Sequence, residues 1–593
     1  MAACKSYRGF QRSGRVSLAP VVVWLAAALA ALAGGRDKRD ARAVSPDIVF
    51  TQTPAKGSGG ARVVRRLSDG RLRVLSKGFQ AARDPEVSFD GQRILFAGKK
   101  LAADCWQIYE IGTDGSGLRQ VTREPMDCRQ PLYLSLFYVL TANEPWYQIG
   151  FRGQAAGDEP QLYSVRLDGT ALRQLTFNPY GVRDPLLMYD GRILFVARQA
   201  HRIEPGPRDR AGLFGVNLDG TDYAVFAADD GAPYKRMPAM SAGREVVFVE
   251  SDQFSAGGGG WLAAVSVRRP LHTYRQITGR ADGQYHSPSP LPDGSLIVGY
   301  RKDAPGSTYG LYRVDPASPR PVLIFDDPDW DDFQARLLAP RPEPDGFSSV
   351  VDDKERTGVL YCLSVHKTDF KDPGWMPPGA AKRLRVLEGV PRRAARAGDP
   401  PPPPLARVLG EVAVDEDGSF NLRVPANIPI QLQLLDEQGL ALRSCSWIWA
   451  RNKSHQGCIG CHEDPELVPE NRMAMAVMRP PMALTLPAER RRLVSFEKSV
   501  KPIFEKTCAA GSCHGGSVPP RLLDLEALRV HLAGSARTSP LVWHLFGRNT
   551  SRPWDPPVVT NPGVERMPPA GRAPLSDDDR RTIMEWIDMG AER

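Results

Sequence analysis

The stretch Ile108-Tyr109-Glu110-Ile111, Asp114-Gly115, Leu118-Arg119-Gln120-Val121-Thr122 decides the fold, because the chain repeats it. It returns as Leu162-Tyr163-Ser164-Val165, Asp168-Gly169, Leu172-Arg173-Gln174-Leu175-Thr176 and, in part, as Leu213-Phe214-Gly215-Val216 before Asp219-Gly220. Each copy is a strand-forming run, an Asp-Gly pair suited to the positive φ angles of a tight hairpin, and a return run. The turns lie 54 and then 51 residues apart, the length of a four-stranded blade. A second element alternates with the first: Asp84-Pro85 leads to Asp90-Gly91-Gln92-Arg93-Ile94-Leu95-Phe96, Asp184-Pro185 to Asp190-Gly191-Arg192-Ile193-Leu194-Phe195, and Ser289-Pro290 to Asp293-Gly294-Ser295-Leu296-Ile297-Val298. Residues 47–370 are therefore expected to form a six-bladed β-propeller, with an array of β-sandwiches as the alternative.

At 593 residues the chain is several times a typical domain, so more than one core is expected. Hydrophobic residues at 42% and charged residues at 24% exclude disorder over the whole chain. Only one apolar stretch is long enough to raise the question of a membrane, which excludes a polytopic membrane protein. The 55 glycines and 53 prolines favour short strands and turns over long helices. Lys5, Arg8, Arg12 and Arg15 precede an apolar run from Leu18 to Gly35 that contains Ala31-Leu32-Ala33, the three parts of a signal peptide over residues 1–33. Its removal takes four cations and lowers the formal net charge from +9 to +5, which weakens any case for a nucleic-acid partner. The expected location is the periplasm or the secreted fraction. A membrane is expected as a partner only if this segment stays uncleaved.

Residues 371–404, with a proline run ending at Pro404, read as a linker. Residues 405–486 alternate apolar and polar positions over Val408–Val414, Ser419–Val424 and Ile430–Leu435, as in a small β-sandwich-like unit with one packed face. From residue 487 the period becomes helical: Val500, Ile503 and Phe504, then Ile583, Trp586 and Ile587, keep i, i+3, i+4 spacing. The last helix is expected to start at Ser576, with Asp577, Asp578 and Asp579 in its first turn, and to stop near Gly590. The expected fold class is multidomain and mostly β, with a C-terminal α-helical domain over residues 487–593.

Chemistry concentrates in the last third. Cys458-Ile459-Gly460-Cys461-His462 has the spacing by which two thiols add across the vinyl groups of a c-type haem while the adjacent histidine reaches iron. The alternative is half of a structural zinc site, but no second Cys-x-x-Cys pair exists to complete one. Cys508 and Cys513 precede His514 with four residues between the cysteines, a longer loop for which haem attachment and a disulfide are both open. Met567, in Met567-Pro568-Pro569, is the candidate second axial ligand for that centre, with packing of the loop as its alternative. Met473, Met475, Met478, Met482 and His455 are weaker candidates for a ligand to the first haem, and Cys105 and Cys128 are candidates for a disulfide. No Gly-rich phosphate loop, serine-nucleophile signature or aromatic-interleaved basic patch is present, so nucleotide and nucleic-acid roles have no support.

Three resemblances follow from these strings. The repeats resemble TolB-type propellers. The tail, with Met567-Pro568-Pro569, Pro574-Leu575-Ser576 and Trp586-Ile587-Asp588-Met589-Gly590-Ala591, resembles the cytochrome c domains of planctomycete-type proteins. Residues 409–466, including Ser446-Trp447-Ile448-Trp449 and Gly457-Cys458-Ile459-Gly460-Cys461-His462, resemble the middle domain of the hydrazine synthase alpha subunit family. That last resemblance implies two covalently bound c-type haems, held by Cys458, Cys461 and His462 and by Cys508, Cys513 and His514. It further implies electron transfer with a redox partner protein, a small nitrogenous substrate at the first haem, and zinc. The zinc has no ligand set that can be placed on this chain, Cys105, Cys128 and Cys362 being candidates. The family's iron-binding tyrosine would stand four residues after His462, where this chain has Glu466, so hydrazine synthesis itself is not expected. The competing reading is a propeller that binds a protein or glycan, with the haem domain as an auxiliary.

Overall fold

The computed structural model describes residues 46–56, 59–139, 145–200, 203, 209–228, 230–254, 258–370, 372–394, 402–462, 464, 466–509, 513–514, 519–532, 534–555 and 564–593. The expected signal peptide lies outside these residues. Residues 46–593 form one compact unit.

Six four-stranded antiparallel units follow one another from Ile48 to Leu337. Their first strands, Ala81–Val87, Asp127–Tyr133, Val182–Leu187, Tyr234–Met240, Gln284–Pro290 and Trp330–Leu337, each touch the next, and the last touches the first, so the units close into a ring. The closure is covalently offset: Trp330–Leu337 completes the sheet begun by Ile48–Pro54, pairing antiparallel along its length. The fourth and fifth units share one parallel pair, Ala211 with Tyr234. Between units the cores are aliphatic and aromatic, for example Leu95, Ile108, Ile149 and Phe151, all fully buried. The hairpins differ in one detail from expectation. Of each Asp-Gly pair only the glycine takes positive φ (82° at Gly115, 87° at Gly169, 79° at Gly220), a second positive φ following at Gly117, Ala171 and Asp222, while Asp114, Asp168 and Asp219 each accept from the backbone N–H two residues on. The aspartate thus caps the turn with its side chain instead of adopting the left-handed conformation itself.

Asp332, on the closing strand, is fully buried and accepts from Gln52 Nε2 at 2.8 Å. Burial pushes its pKa up to about 7. The native state therefore holds a proton that the unfolded chain releases near its ordinary value of 3.8. The stabilisation is complete below that value and is lost as pH rises towards 7, at roughly 1.4 kcal/mol per unit within the window. Asp332→Asn is expected to flatten this slope in urea titrations between pH 4 and pH 7; an unchanged slope contradicts the assignment.

The ring is shorter than the expected span of 47–370. Phe347–Ser349 pairs with Phe137–Val139 in a small separate sheet, and Thr357–Cys362 belongs to the middle region, between Phe420–Pro425 and His455–Cys458. The expected linker is corrected as well. Arg383–Val390 within it is a central strand of the second sheet, ordered Leu405–Ala413, Arg383–Val390, Ile430–Leu435, Ala441–Ser444. Its apolar pattern was masked by Arg383 and Arg385, and Arg385 is buried because three carboxylates surround it.

The tail is helical at Lys501–Thr507, Leu525–Arg529, Pro540–Phe546 and Asp577–Asp588. Ser576 caps the last helix, its Oγ accepting from Asp579 N at 3.1 Å, and Gly590 ends it at φ 116°. Ile583, Trp586 and Ile587 are buried as expected. They share one core with Leu387, Ala406, Val408 and Leu440 of the middle sheet, so the two expected C-terminal domains pack as a continuous body. Trp449 joins this body to the ring: it is 1% exposed, stacks on Tyr223 at 4.2 Å and donates from Nε1 to Gly220 O at 3.1 Å.

Candidate functional site

The first Cys-x-x-Cys-His segment starts on a strand. His455–Cys458 runs parallel to Thr357–Cys362, which sets Cys458 opposite Cys362. The chain then curls over Lys367, whose carbonyl accepts from Cys461 N at 2.8 Å. A Cβ at Gly460 would stand 2.3 Å from that carbonyl, so glycine is required between the cysteines. Cys458 and Cys461 are half-buried and pack on the same core as Cys362 and Cys445. His462 adopts φ 60° and sets Nε2 2.8 Å from Ser444 O. A carbonyl only accepts, so Nε2 carries the proton here, and an imidazole so engaged offers iron no lone pair at that nitrogen.

Glu466, four residues after His462, faces the ring. Its Oε2 lies 3.1 Å from Arg269 Nε and its Oε1 accepts from Leu271 N at 3.0 Å, while Asp464 Oδ2 lies 2.5 Å from His272 Nε2. These contacts tie the end of the motif loop to the fifth unit of the ring. Asp464, Glu466 and His272 place three potential metal-ligand atoms within 4.8 Å of one another, although Arg269 and Leu271 already occupy both Glu466 oxygens. Neither Arg269 nor His272 was legible as a site residue, since both lie some 190 residues from the motif in sequence.

The second segment begins where the helix Lys501–Thr507 ends. Cys508 N donates to Phe504 O at 2.8 Å, and His514 N donates to Cys508 O at 3.1 Å, which folds the segment back on itself. Burial, and then the neighbouring Cys513, push the Cys508 thiol up to about 11, so it stays neutral. A neutral thiol beside an apolar core suits a thioether better than a thiolate metal ligand. His514 Nδ1 is buried with no hydrogen-bond partner among the described residues, an orphaned ring nitrogen of the kind a coordinated or newly bonded imidazole would satisfy. The residue types and this orphaned atom fit a haem. Cys508 and Cys513 are both free thiols, as are Cys105 and Cys128, so neither candidate disulfide is formed.

Met567 is half-buried. Its N–H donates to His544 O at 2.8 Å at the end of the helix Pro540–Phe546, and His544 Nδ1 lies 2.7 Å from Glu565 O. The structure thus anchors the Met-Pro-Pro loop on that helix. Met473, Met475, Met478 and Met482 are exposed, at 71%, 42%, 65% and 52%, and His455 is exposed too. Of the three cysteines considered for zinc, only Cys362 lies at the first segment; Cys128 is buried in the ring, where burial pushes its thiol up to about 12. Cys445, scattered in sequence, joins Cys362 there, its Sγ accepting from Leu432 N at 3.1 Å.

A closed ring of six four-stranded units joined to a two-sheet body that carries one Cys-x-x-Cys-His and a helical tail that carries a second Cys-His defines a multidomain, mostly β protein. Residues 379–463 match the hydrazine synthase alpha subunit middle domain. The hydrazine synthase alpha subunit of Kuenenia stuttgartiensis is 24% identical over an alignment 753 positions long that takes in 92% of this chain and 91% of that one. The solved structure of Kuenenia stuttgartiensis hydrazine synthase superposes with a TM-score of 0.77 at 22% identity, over 92% of this chain and 94% of that chain. TolB from Acinetobacter baumannii gives a TM-score of 0.37 at 12% identity, over 53% of this chain and 70% of its own. The chain is a relative of the hydrazine synthase alpha subunit, with which it shares its fold. No helix among the described residues is long and apolar enough to cross a membrane.

Proposed function

We infer that the chain is an exported dihaem c-type cytochrome, an oxidoreductase that exchanges electrons with a redox partner protein in the periplasm or outside the cell. In this reading the six units are the blades of a propeller, and residues 487–593 are a cytochrome c domain. The observation that carries it is the end-to-end likeness to the hydrazine synthase alpha subunit in a chain that keeps both Cys-His groups. Bound haem supplies one-electron chemistry at iron. Cys458 and Cys461 would hold the first group, and Cys508 and Cys513 the second, with His514 and Met567 as the residues that would supply ligands to its iron. His462 would reach iron through Nε2 only on leaving the Ser444 carbonyl, so the first group would be the less fully held of the two and the one suited to a small nitrogenous substrate. Glu466 is held by Arg269 and is no substitute for a phenolate, which argues against hydrazine synthesis in this chain. The test is a spectroelectrochemical titration of the full chain with and without cyanide. Two haem waves are expected, of which only one shifts with cyanide; two waves that both ignore cyanide leave an electron carrier alone, and no wave ends the reading.

Met567→Ala tests the second centre. Thioether ligation raises the potential of a c-type haem relative to histidine or water. The substitution is expected to remove the far-red sulfur-to-iron band and lower one of the two potentials, while both haems stay attached. An unchanged spectrum would mean that the loop only packs on the helix Pro540–Phe546.

A further inference from the structure

The first strand of each unit in the ring bulges at one residue of positive φ: Asp84, Gln130, Asp184, Met237, Ser287 and Gln334, with φ between 40° and 59°. Their side chains and backbones form a closed circuit. Gln130 N donates to Asp84 Oδ2 (3.2 Å), Asp184 N to Gln130 Oε1 (3.1 Å) and Met237 N to Asp184 Oδ2 (3.1 Å). Ser287 N donates to Met237 Sδ (3.2 Å), Gln334 N to Ser287 Oγ (2.7 Å) and Asp84 N to Gln334 Oε1 (3.2 Å). Every residue receives from one neighbour and gives to the other. The circuit therefore fixes the six strands around the ring axis and holds the residues just before the bulges at one level.

Those residues are Arg83, Arg129, Arg183, Arg236, His286 and Phe333. Four neighbouring units thus present arginine, and a fifth, Arg152, stands across the sheet from Arg129. The facing carboxylates are fewer. Asp84 lies 3.4 Å from Arg83 and 3.0 Å from Arg129, Asp184 lies 3.9 Å from Arg236, and Glu159 lies 3.8 Å from Arg183. Among the described residues these five arginines face three carboxylates, and Arg198, near Arg183, is matched by Asp209, which leaves two positive charges in excess. Arg152 is the residue left over: it is 8% exposed and its Nε has no hydrogen-bond partner among the described residues. Burial, followed by the repulsion of Arg129 and Arg183, pulls its pKa down to about 10, still fully charged at neutral pH. His286 adds no charge, because burial and then Arg236 pull its pKa down to about 3. A buried guanidinium without a counter-charge is costly, and an anion bridging it to its neighbours removes that cost. The site is open to small solutes: the Arg83 and Arg183 side chains keep 29% and 32% of their surface. Trp106 stands beside Arg129 and Phe254 beside Arg183 and Arg236, walling the cluster with rings that favour flat guanidinium faces.

We propose that this arginine cluster at the ring axis is an anion-binding site for a small dianion, an inorganic oxyanion or a dicarboxylate, held by Arg83, Arg129, Arg152 and Arg183. The two excess charges set the valence, and the paired N–H forks of guanidinium suit ligands with two oxygens on one face. The hydrogen-bonded circuit spans the axis beside the cluster, which favours a small ligand over a threaded peptide. The site uses no residue of either Cys-His group and does not depend on haem.

Calorimetric titration of the full chain in low-salt, phosphate-free buffer tests it, with inorganic phosphate, sulfate and succinate as probes and chloride as the monovalent control. At least one of the three dianions is expected to bind with a Kd below about 1 mM, roughly tenfold or more tighter than chloride. Phosphate and sulfate without succinate would assign an inorganic oxyanion, and succinate alone a dicarboxylate. Arg152→Gln and, separately, the more exposed Arg183→Gln are expected to weaken binding about tenfold or more, whereas Arg275→Gln, in a peripheral ion pair with Glu245, is expected to leave it unchanged. Circular dichroism confirms that each variant is folded. The proposal is overturned if none of the three dianions binds the folded protein more tightly than chloride, or if folded Arg183→Gln binds as the parent does.

Discussion

Arg385→Ala is expected to lower the urea midpoint of the C-terminal body by the equivalent of about 3–5 kcal/mol, the cost of stranding buried charges. The Arg385 side chain is fully buried in the second sheet of the middle region. Its Nε lies 3.1 Å from Glu411, one terminal nitrogen 3.5 Å from Glu585 and the other 4.0 Å from Asp588. Glu585 and Asp588 belong to the terminal helix and are themselves buried, so the arginine is the charge that permits helix and sheet to share a core. Burial raises the pKa of Asp588 even with Arg385 present. A raised folded-state pKa means that the native state favours the protonated acid, so this group contributes to stability at low pH and loses that contribution as pH rises. The deficit of Arg385→Ala is therefore expected to deepen from acid to neutral pH. Replacing Arg385, Glu585 and Asp588 together by apolar residues should recover much of the loss. A single-variant deficit below about 1 kcal/mol would show that the charges are not confined as described.

Substituting both Cys508 and Cys513 by alanine is expected to reduce the haem content of the purified chain from two to one, as read by pyridine haemochrome. The surrounding core should survive: Val500, Phe504, Leu528, Val542 and Trp586 close it without the cysteines, and Cys508 packs only at its margin. Far-ultraviolet dichroism is therefore expected to change little. The remaining haem should be the one that responds to cyanide. A variant that still carries two haems would move the second attachment elsewhere, and one that loses both would show that the two groups mature together.

The repeat of Asp-Gly hairpins and the helical spacing of Ile583, Trp586 and Ile587 were legible because each is local: a turn or one helix face is written within a dozen residues. The middle region was legible only in part. Thr357–Cys362 reads as a continuation of the ring, and its partners, Phe420–Pro425 and His455–Cys458, lie some 60 and 100 residues away. Arg383–Val390 hides behind Arg385, whose burial is explained by helix acids 200 and 203 residues later. At the site, the Cys-His groups are carried by spacing alone. The hold of Ser444 on His462 depends on how the two sheets of the body pack together, and that of Arg269 on Glu466 on how the body packs against the ring, which no local pattern encodes. The arginine cluster is an intermediate case: Arg83-Asp84, Arg129-Gln130, Arg183-Asp184 and Arg236-Met237 stand at the same place in four successive units, but only the closed ring brings them together.

The most direct measurement is the intact mass of the denatured full chain produced in cells that attach c-type haem, followed by mass mapping of its peptides. The account predicts a chain heavier by two haem groups, one on the peptide with Cys458 and Cys461 and one on the peptide with Cys508 and Cys513. Four alkylatable thiols at these positions and no added mass would contradict it.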